Sequence, residues 1–522
     1  MLFRSPYPDV DIPNVPLHAF VLGRAREWGD KSALIDGPSG RTLTYGQLAR
    51  DTDRVAAGLA ARGFRKGDVL GLFAPNSPEF ALAFYGTVAA GGIVTTINSL
   101  ATALDITTQL RDARARVLVT VEPFLDRALP AAERAGVEQV FVLGPGEGER
   151  ATPFAELLES DAPVPVVALE PGRDLAALPY SSGTTGLPKG VMLTHRNLVA
   201  NLIQLVVLQR IVARDRVIAV VPFFHIYGLI VVLSLGLWRG ATLVTMPKFE
   251  LESFLKLLQQ YRVTRAYVAP PVVLALAKHP AVAAYDLSSL EVVFSGAAPL
   301  DAALEAACAG RVGCHVKQGY GLTEASPVTH ATSDAPNRGK AGCVGELVPN
   351  TTCRIVDVTT GADLGPGEAG ELLIRGPQVM RGYWHNPEAT AATIDADGWL
   401  HTGDIGFADG EGYYTIVDRL KELIKHKGYQ VPPAELEAVL CSHPAVADAA
   451  VIGIPDAEGG EVPKAFVVLR QPVSPDVLIA YVAERVAPYK KVRVVEVIDV
   501  IPKSPSGKIL RRVLKERRAG AT

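Results

Sequence analysis

The sequence predicts an α/β fold of more than one domain, and three observations carry that prediction. Strand-like and helix-like segments alternate from the start, which is how a mostly parallel sheet with helices on its faces is written. From about Cys343 the texture changes to short strands punctuated by glycine, and after Lys421 it returns to a compact mixture of helix and strand. The 522 residues also exceed the roughly 250–300 at which a single hydrophobic core stops growing. The expected organisation is a large N-terminal domain of α/β sheets over 1–420, with a β-rich subdomain at about 343–418. A small α+β C-terminal domain then covers 421–522.

Each element has a local reason. Thr44-x-x-Gln47 reads as a capping box opening a helix whose apolar Leu48, Val55, Ala56 and Leu59 lie on one side, and Gly63 closes it. A strand at Val69–Ala74 follows. Ser77-Pro78-Glu79 then supplies an N-cap, a first-turn proline and an acidic first turn for a helix over Phe80–Ala90. Ile93–Ile97, Val117–Thr120 and Val140–Leu143 are short β-branched runs, and Gly144-Pro-Gly-Glu-Gly is a loop. In the last unit, Pro433–Ser442 reads as a helix. No period of 20 to 50 residues recurs, which argues against a repeat architecture.

Composition removes several function classes. A formal charge of −3 offers no broad field to nucleic acid or to an acidic membrane, so any phosphate binding must be local. The most apolar stretch, Val217–Trp238, is broken by Pro222, His225 and Gly228. Its uninterrupted run, Leu229–Leu233, falls far short of the ~20 residues of a spanning helix, so it reads as buried core. The N-terminal Met1-Leu-Phe-Arg-Ser-Pro-Tyr-Pro has prolines where an export signal needs an apolar run. Five cysteines without a C-x-x-C pair suit packing thiols in a reducing compartment, and a cytoplasmic setting is the expectation.

The strongest local signal is Tyr180-Ser-Ser-Gly-Thr-Thr-Gly-Leu-Pro-Lys-Gly-Val191. Gly183 frees the backbone, the hydroxyls of Ser181, Ser182, Thr184 and Thr185 add donors without bulk, and Lys189 adds positive charge, so the segment can wrap phosphate oxygens. It is not a Walker A loop: Pro188 stands where the second glycine belongs and Gly190 follows the lysine.

This segment resembles the AMP-binding signature of the acyl-adenylate-forming enzymes, which include acyl-CoA synthetases, peptide-synthetase adenylation domains and beetle luciferases. The resemblance continues in order at Gly319-Tyr-Gly-Leu-Thr-Glu324, Gly370-Glu-Leu-Leu-Ile-Arg-Gly376, Trp399-Leu-His-Thr-Gly-Asp404, Val417-Asp-Arg-Leu-Lys-Glu-Leu-Ile-Lys425 and Pro505-Ser-Gly-Lys-Ile-Leu510. It implies the acyl-CoA synthetase/luciferase-like fold with a mobile C-terminal domain, and the substrates ATP, coenzyme A and a small carboxylic acid, with Mg²⁺. It implies neither a nucleic acid nor an obligatory protein partner.

By this resemblance the nucleotide site takes Ser181, Ser182, Gly183, Thr184, Thr185, Lys189, Gln318, Gly319 and Tyr320. Thr323 meets the α-phosphate and Glu324 the metal; Asp404 takes the ribose hydroxyls and Arg419 the sugar or phosphate. Lys508 is the adenylation lysine, bridging carboxylate and α-phosphate. Read without the resemblance, Lys508 with Arg511 and Arg512 is a solvated basic tail. Lys421 falls on the hinge position. Lys425 and Gln430 contact the adenylate in the thioester-forming orientation, Lys427 and Gly428 resemble the coenzyme A tunnel segment, and Lys248 is a nucleotide contact. His225 borders the substrate carboxylate; it is not needed as a general base, because a carboxylate is already ionised near neutral pH.

The match narrows to the subgroup of 4-coumarate:CoA and bacterial cinnamate:CoA ligases. On that comparison Tyr227, Val231, Ala297, Gly321, Pro327 and Val328 line the acyl pocket, a flat slot suited to an aromatic ring, with Tyr227 hydrogen-bonding a para-hydroxyl or stacking. Two departures stand out: Val231 replaces a smaller or polar residue, and Leu373 replaces a cysteine of the plant box. The expected reaction is adenylation of a phenylpropenoate followed by transfer to coenzyme A, with a medium-chain fatty or other aryl acid as the alternative. A carrier-loading adenylation domain and a non-catalytic nucleotide-binding protein compete with this reading. The first is disfavoured because no carrier segment follows, the second because Lys189, Thr323, Glu324, Asp404, Arg419 and Lys508 are all retained.

Overall fold

Helix starts in the computed structural model follow the local signals. It describes all residues except 145–150, 182–187, 337, 427–428, 457–459, 505–506 and 518–522. Thr44 caps the helix Tyr45–Ala61 and closes the capping box with Gln47. Ser77 caps Pro78–Ala89 through the Phe80 amide. Thr102/Asp105 and Thr194/Asn197 form the same reciprocal box at the helices Ala103–Asp112 and His195–Leu208.

Four sheets are formed by the described residues. The first, nine-stranded, is parallel at its centre, where Ile93–Thr96, Val69–Phe73, Ala115–Val121 and Gln139–Leu143 lie side by side. The second, also nine-stranded, runs parallel from His315–Gly321 through Val292–Ser295, Arg265–Val268, Arg216–Ala219 and Thr242–Thr245 to Ser32–Asp36. Val69–Phe73 is buried at every position, as a strand covered on both faces must be. A third, antiparallel sheet contains Thr352–Val356, Gly370–Arg375, Leu400–Ala408 and Tyr414–Arg419. The fourth is built from Ile424–His426, Tyr429–Val431, Val446–Asp456, Gly460–Leu469 and Val494–Val497.

Two features differ from the sequence reading. The β-rich region is not a contiguous piece: Phe3–Arg4 adds an edge strand against Thr352–Cys353, while Glu346–Leu347 pairs into the second sheet and Gly382–Tyr383 into the first. Pairings over more than 340 residues leave no local trace. Val217–Trp238 is buried core as expected, but it comprises the end of a strand, a π-helix over Tyr227–Ser234 and a short α-helix Leu235–Trp238. No helix among the described residues is long and apolar enough to cross a membrane. All five cysteines are free, with Cys308, Cys343 and Cys353 buried.

Candidate active site

Strand Tyr180–Ser181 pairs antiparallel with Lys189–Thr194, setting Ser181 directly opposite Lys189. Directly opposed residues share a face, so hydroxyl and ammonium reach the same space. Ser182, Gly183, Thr184 and Thr185, between them, lie outside the described residues. The Lys189 ammonium stands 5.3 Å from the centroid of the Tyr383 ring, within cation–π range. Tyr383 donates its hydroxyl proton to Glu324 Oε1 at 2.9 Å. Sequence reasoning missed Tyr383; the available signal was its place after Gly382, whose φ of +145° few other residues tolerate.

Glu324 sits in the short 3₁₀ turn Thr323–Ala325, beyond the end of strand His315–Gly321, and is 6% exposed. That strand also delivers Tyr320, whose hydroxyl donates to Asp404 Oδ2 at 2.6 Å. Gly319 leaves room for the Phe294 ring, which a Cβ would approach to 2.6 Å. The Gln318 side chain is engaged within the protein. Its amide nitrogen donates to Leu300 O and Glu305 Oε2, and its oxygen accepts from Leu300 N. The side chain is committed to holding the loop that follows Val292–Ser295.

Asp404 and Arg419 are register partners on neighbouring strands, with Arg419 Nε 3.2 Å from Asp404 Oδ1. Burial pushes the Asp404 carboxyl up, and the Arg419 charge and the Tyr320 hydrogen bond oppose that. Ser181, Glu324, Tyr383, Thr402, Asp404 and Arg419 line one cleft with ≈ 40 Å³ of free space.

The C-terminal loop closes on this cleft. A Cβ at Gly507 would come within 2.8 Å of the Ala269 methyl and 3.3 Å of Pro271, so the loop lies against the second sheet's Ala269–Pro271 segment. The Ser504 hydroxyl accepts from the Lys508 amide at 3.1 Å. Burial lowers the Lys508 ammonium to about 8, with Arg419 repelling it and Glu422 and Asp404 attracting it. His225 feels the same lysine: burial first, then Lys508, lowers its imidazole to about 4. Its Nδ1 accepts from the Tyr227 amide at 3.2 Å, so the neutral ring carries its proton on Nε2.

In the expected acyl pocket, Tyr227 and Val231 are buried on the π-helix. The Tyr227 hydroxyl donates to Phe294 O at 3.1 Å and its ring meets Tyr267 edge-on. Its one proton is therefore committed, and toward a ligand hydroxyl it can only accept. A Cβ added at Gly296 would lie 3.2 Å from the Tyr227 ring, next to Ala297 at φ +72°. Gly321 abuts Pro327 and Val328: a Cβ there would stand 2.2 Å from Pro327 O, with backbone that cannot move aside.

Other candidates are not gathered here. Lys425 and Gln430 face each other across the hairpin Ile424–His426/Tyr429–Val431, both exposed; Lys427 and Gly428 lie outside the described residues. Lys248 is exposed ahead of the helix Leu251–Gln260. Lys421 is exposed, and its ammonium is lowered by desolvation and by nearby Lys189. A larger cavity, ≈ 500 Å³, opens between Arg4, Asp9, Arg196 and Arg375; no candidate residue lines it, so size does not locate the chemistry.

Two family models match, described as AMP-binding enzyme over residues 22–384 and AMP-binding enzyme C-terminal domain over residues 435–508. The chain is 43% identical to 4-coumarate–CoA ligase 1 of Petroselinum crispum, covering 99% of this chain and 97% of the relative. It is 45% identical to 4-coumarate–CoA ligase 5 of Oryza sativa subsp. japonica, with the same coverage. Among solved structures it is similar to the anthranilate CoA ligase AuaEII in complex with anthranoyl-AMP, with TM-score 0.90, 30% identity and 98% and 99% of the two chains covered. It is also similar to ATP-bound MatB from Rhodopseudomonas palustris, with TM-score 0.88, 29% identity and coverage of 97% and 99%.

Proposed function

Because this chain belongs to the AMP-binding enzyme family and is an AMP-forming acid:CoA ligase using ATP, we propose that it activates a 4-coumarate- or cinnamate-type acid through the cleft that Lys508 closes. The observation that supports the site is one cleft lined by Ser181, Glu324 and the Asp404–Arg419 pair from three sheets, with Lys189 against the Tyr383 ring at its wall and the Lys508 charge acting on both Asp404 and His225.

In the first half-reaction a substrate carboxylate oxygen attacks the α-phosphorus of ATP, forming the acyl–O–P bond as the bond to pyrophosphate breaks. Two anions must meet, and the Lys508 ammonium lies between them as a compact positive charge. Ser181, Lys189 and Thr323 hold phosphate oxygens, Asp404 accepts from the ribose hydroxyls, and Arg419 secures Asp404 and the sugar. Neutral His225 borders the carboxylate without competing for a proton. Glu324, a buried carboxylate at the cleft wall, is the residue that would hold a Mg²⁺ ion brought in with ATP. When bound, that ion would offset the negative charge of the triphosphate. In the second half-reaction the coenzyme A sulfur attacks the acyl carbon and AMP leaves. We assign Lys425 and Gln430, paired on one exposed hairpin face, to that step, with the two units 1–420 and 421–522 turning about Lys421.

The acid is inferred from the slot between Gly321, Ala297 and Tyr227, and from the 4-coumarate ligase relatives. A para-hydroxyl can donate to Tyr227, whose own proton is engaged, while Val231 offers it nothing. Cytoplasmic residence suits the free cysteines, whose thiols burial raises at Cys308, Cys353 and Cys441 to about 12. The test is incubation with ATP, Mg²⁺, coenzyme A and a panel of cinnamic, benzoic and fatty acids. Thioester absorbance should rise with the phenylpropenoates; reaction with fatty acids alone would sink the aryl reading and leave the ligase reading standing.

A pH profile checks Lys508 separately. The lysine is charged below its value of about 8 and loses its proton above it. The kcat/KM for acid-dependent pyrophosphate release, which reports free-enzyme groups, should fall as pH rises through that value. Thioester formation from supplied acyl-AMP should lack the limb, and Lys508→Arg should remove it, because a guanidinium stays protonated.

A further inference from the structure

Asp418 immediately precedes Arg419, is buried (6% exposed), and plays no part in the chemistry above. Both of its carboxylate oxygens accept main-chain hydrogen bonds, from residues on opposite sides of Lys421. Oδ1 accepts from the Arg419 amide at 2.7 Å, and Oδ2 from the Ala434 amide at 2.9 Å. Ala434 is the second residue of the helix Pro433–Ser442, whose N-cap is Pro432 and which has no capping side chain of its own. The first amides of a helix need an acceptor from outside its ladder. Asp418 provides one from the third sheet, where a carboxylate also meets the positive end of the helix.

The same carboxylate faces Arg511, three residues beyond Lys508. Arg511 bridges Glu422 at 2.6 Å and Glu437 at 2.7 Å, and its Nε donates to Val451 O. One side chain thus joins the backbone of Arg419, the start of a C-terminal helix and the arginine beside the Lys508 loop.

We propose that Asp418 is a positioning residue for adenylation: its carboxylate docks the C-terminal unit on the strand that carries Arg419, holding Lys508 over the cleft, and the contact breaks when that unit turns for thioester formation. The proposal rests on the reading of Lys421 as the hinge. Residue 418 precedes that position and residues 434 and 511 follow it, so rotation there separates the partners.

The test measures the two half-reactions apart: pyrophosphate release with acid and ATP, and thioester formation from supplied acyl-AMP and coenzyme A. Asp418→Ala should lower kcat for pyrophosphate release about tenfold, the order of a lost helix cap, with KM for ATP little changed and the thioester step at wild-type rate or faster. Asp418→Asn, which keeps one carbonyl acceptor, should recover part of the loss. Equal losses in both half-reactions, or no loss in either, would overturn the assignment. Lys421→Pro checks the premise: it should block the thioester step, and a Lys421→Pro enzyme with both half-reactions intact would remove the hinge and the proposal with it.

Discussion

Lys508→Ala is expected to cut acid-dependent pyrophosphate release by on the order of 10²–10³-fold, the scale seen when one preorganised electrostatic contact is removed from an active site. The lysine is partly buried and lies within the fields of Arg419, Asp404, Glu422 and Arg511. Its positive charge therefore acts where water screens it little. Thioester formation from supplied acyl-AMP should largely survive, since the two anions that Lys508 reconciles are by then joined. Release of pyrophosphate at the wild-type rate would refute the assignment.

Asp404→Ala is the second large effect. The carboxylate accepts a hydrogen bond from the Tyr320 hydroxyl at 2.6 Å and pairs with Arg419, so its loss would strip the proposed nucleotide site of its ribose acceptor and free Arg419 to swing. A hydrogen bond to a charged group is worth ~1.5–3 kcal/mol, and two ribose hydroxyls are at stake. The kcat/KM for ATP should fall at least about a hundredfold, chiefly through KM, while acyl-AMP made elsewhere should also bind more weakly. A KM for ATP within twofold of wild type, or about that, would rule out the ribose role.

Helix starts were legible because their hydrogen bonds close within four residues: Thr44 and Gln47 name each other, and Ser77-Pro78-Glu79 writes a cap, a first turn and a charge in succession. Pro433–Ser442 was read to the residue, yet its cap was not, because Asp418 belongs to a strand of another sheet. Tyr383 was missed for the same reason, its partner Glu324 lying 59 positions away. Gln318 shows the converse limit. Its motif position suggested a nucleotide contact, whereas packing commits its amide to Leu300 and Glu305. Motifs report which residues approach a site, and only the fold reports which of their atoms remain free.

The π-helix at Tyr227–Ser234 makes the segment that carries Tyr227 and Val231 the part of the candidate site most open to a change of length. A π ladder spans one residue more per bond than an α ladder, so losing a single codon there converts it to ordinary helix without breaking a strand. Because the π segment absorbs its extra residue locally, the flanking turns would keep their orientation while the wall between Tyr227 and Ser234 lost one side chain. The Asp404–Arg419 pair, by contrast, is a register match between neighbouring strands, so a residue lost from either strand would put the two side chains on opposite faces.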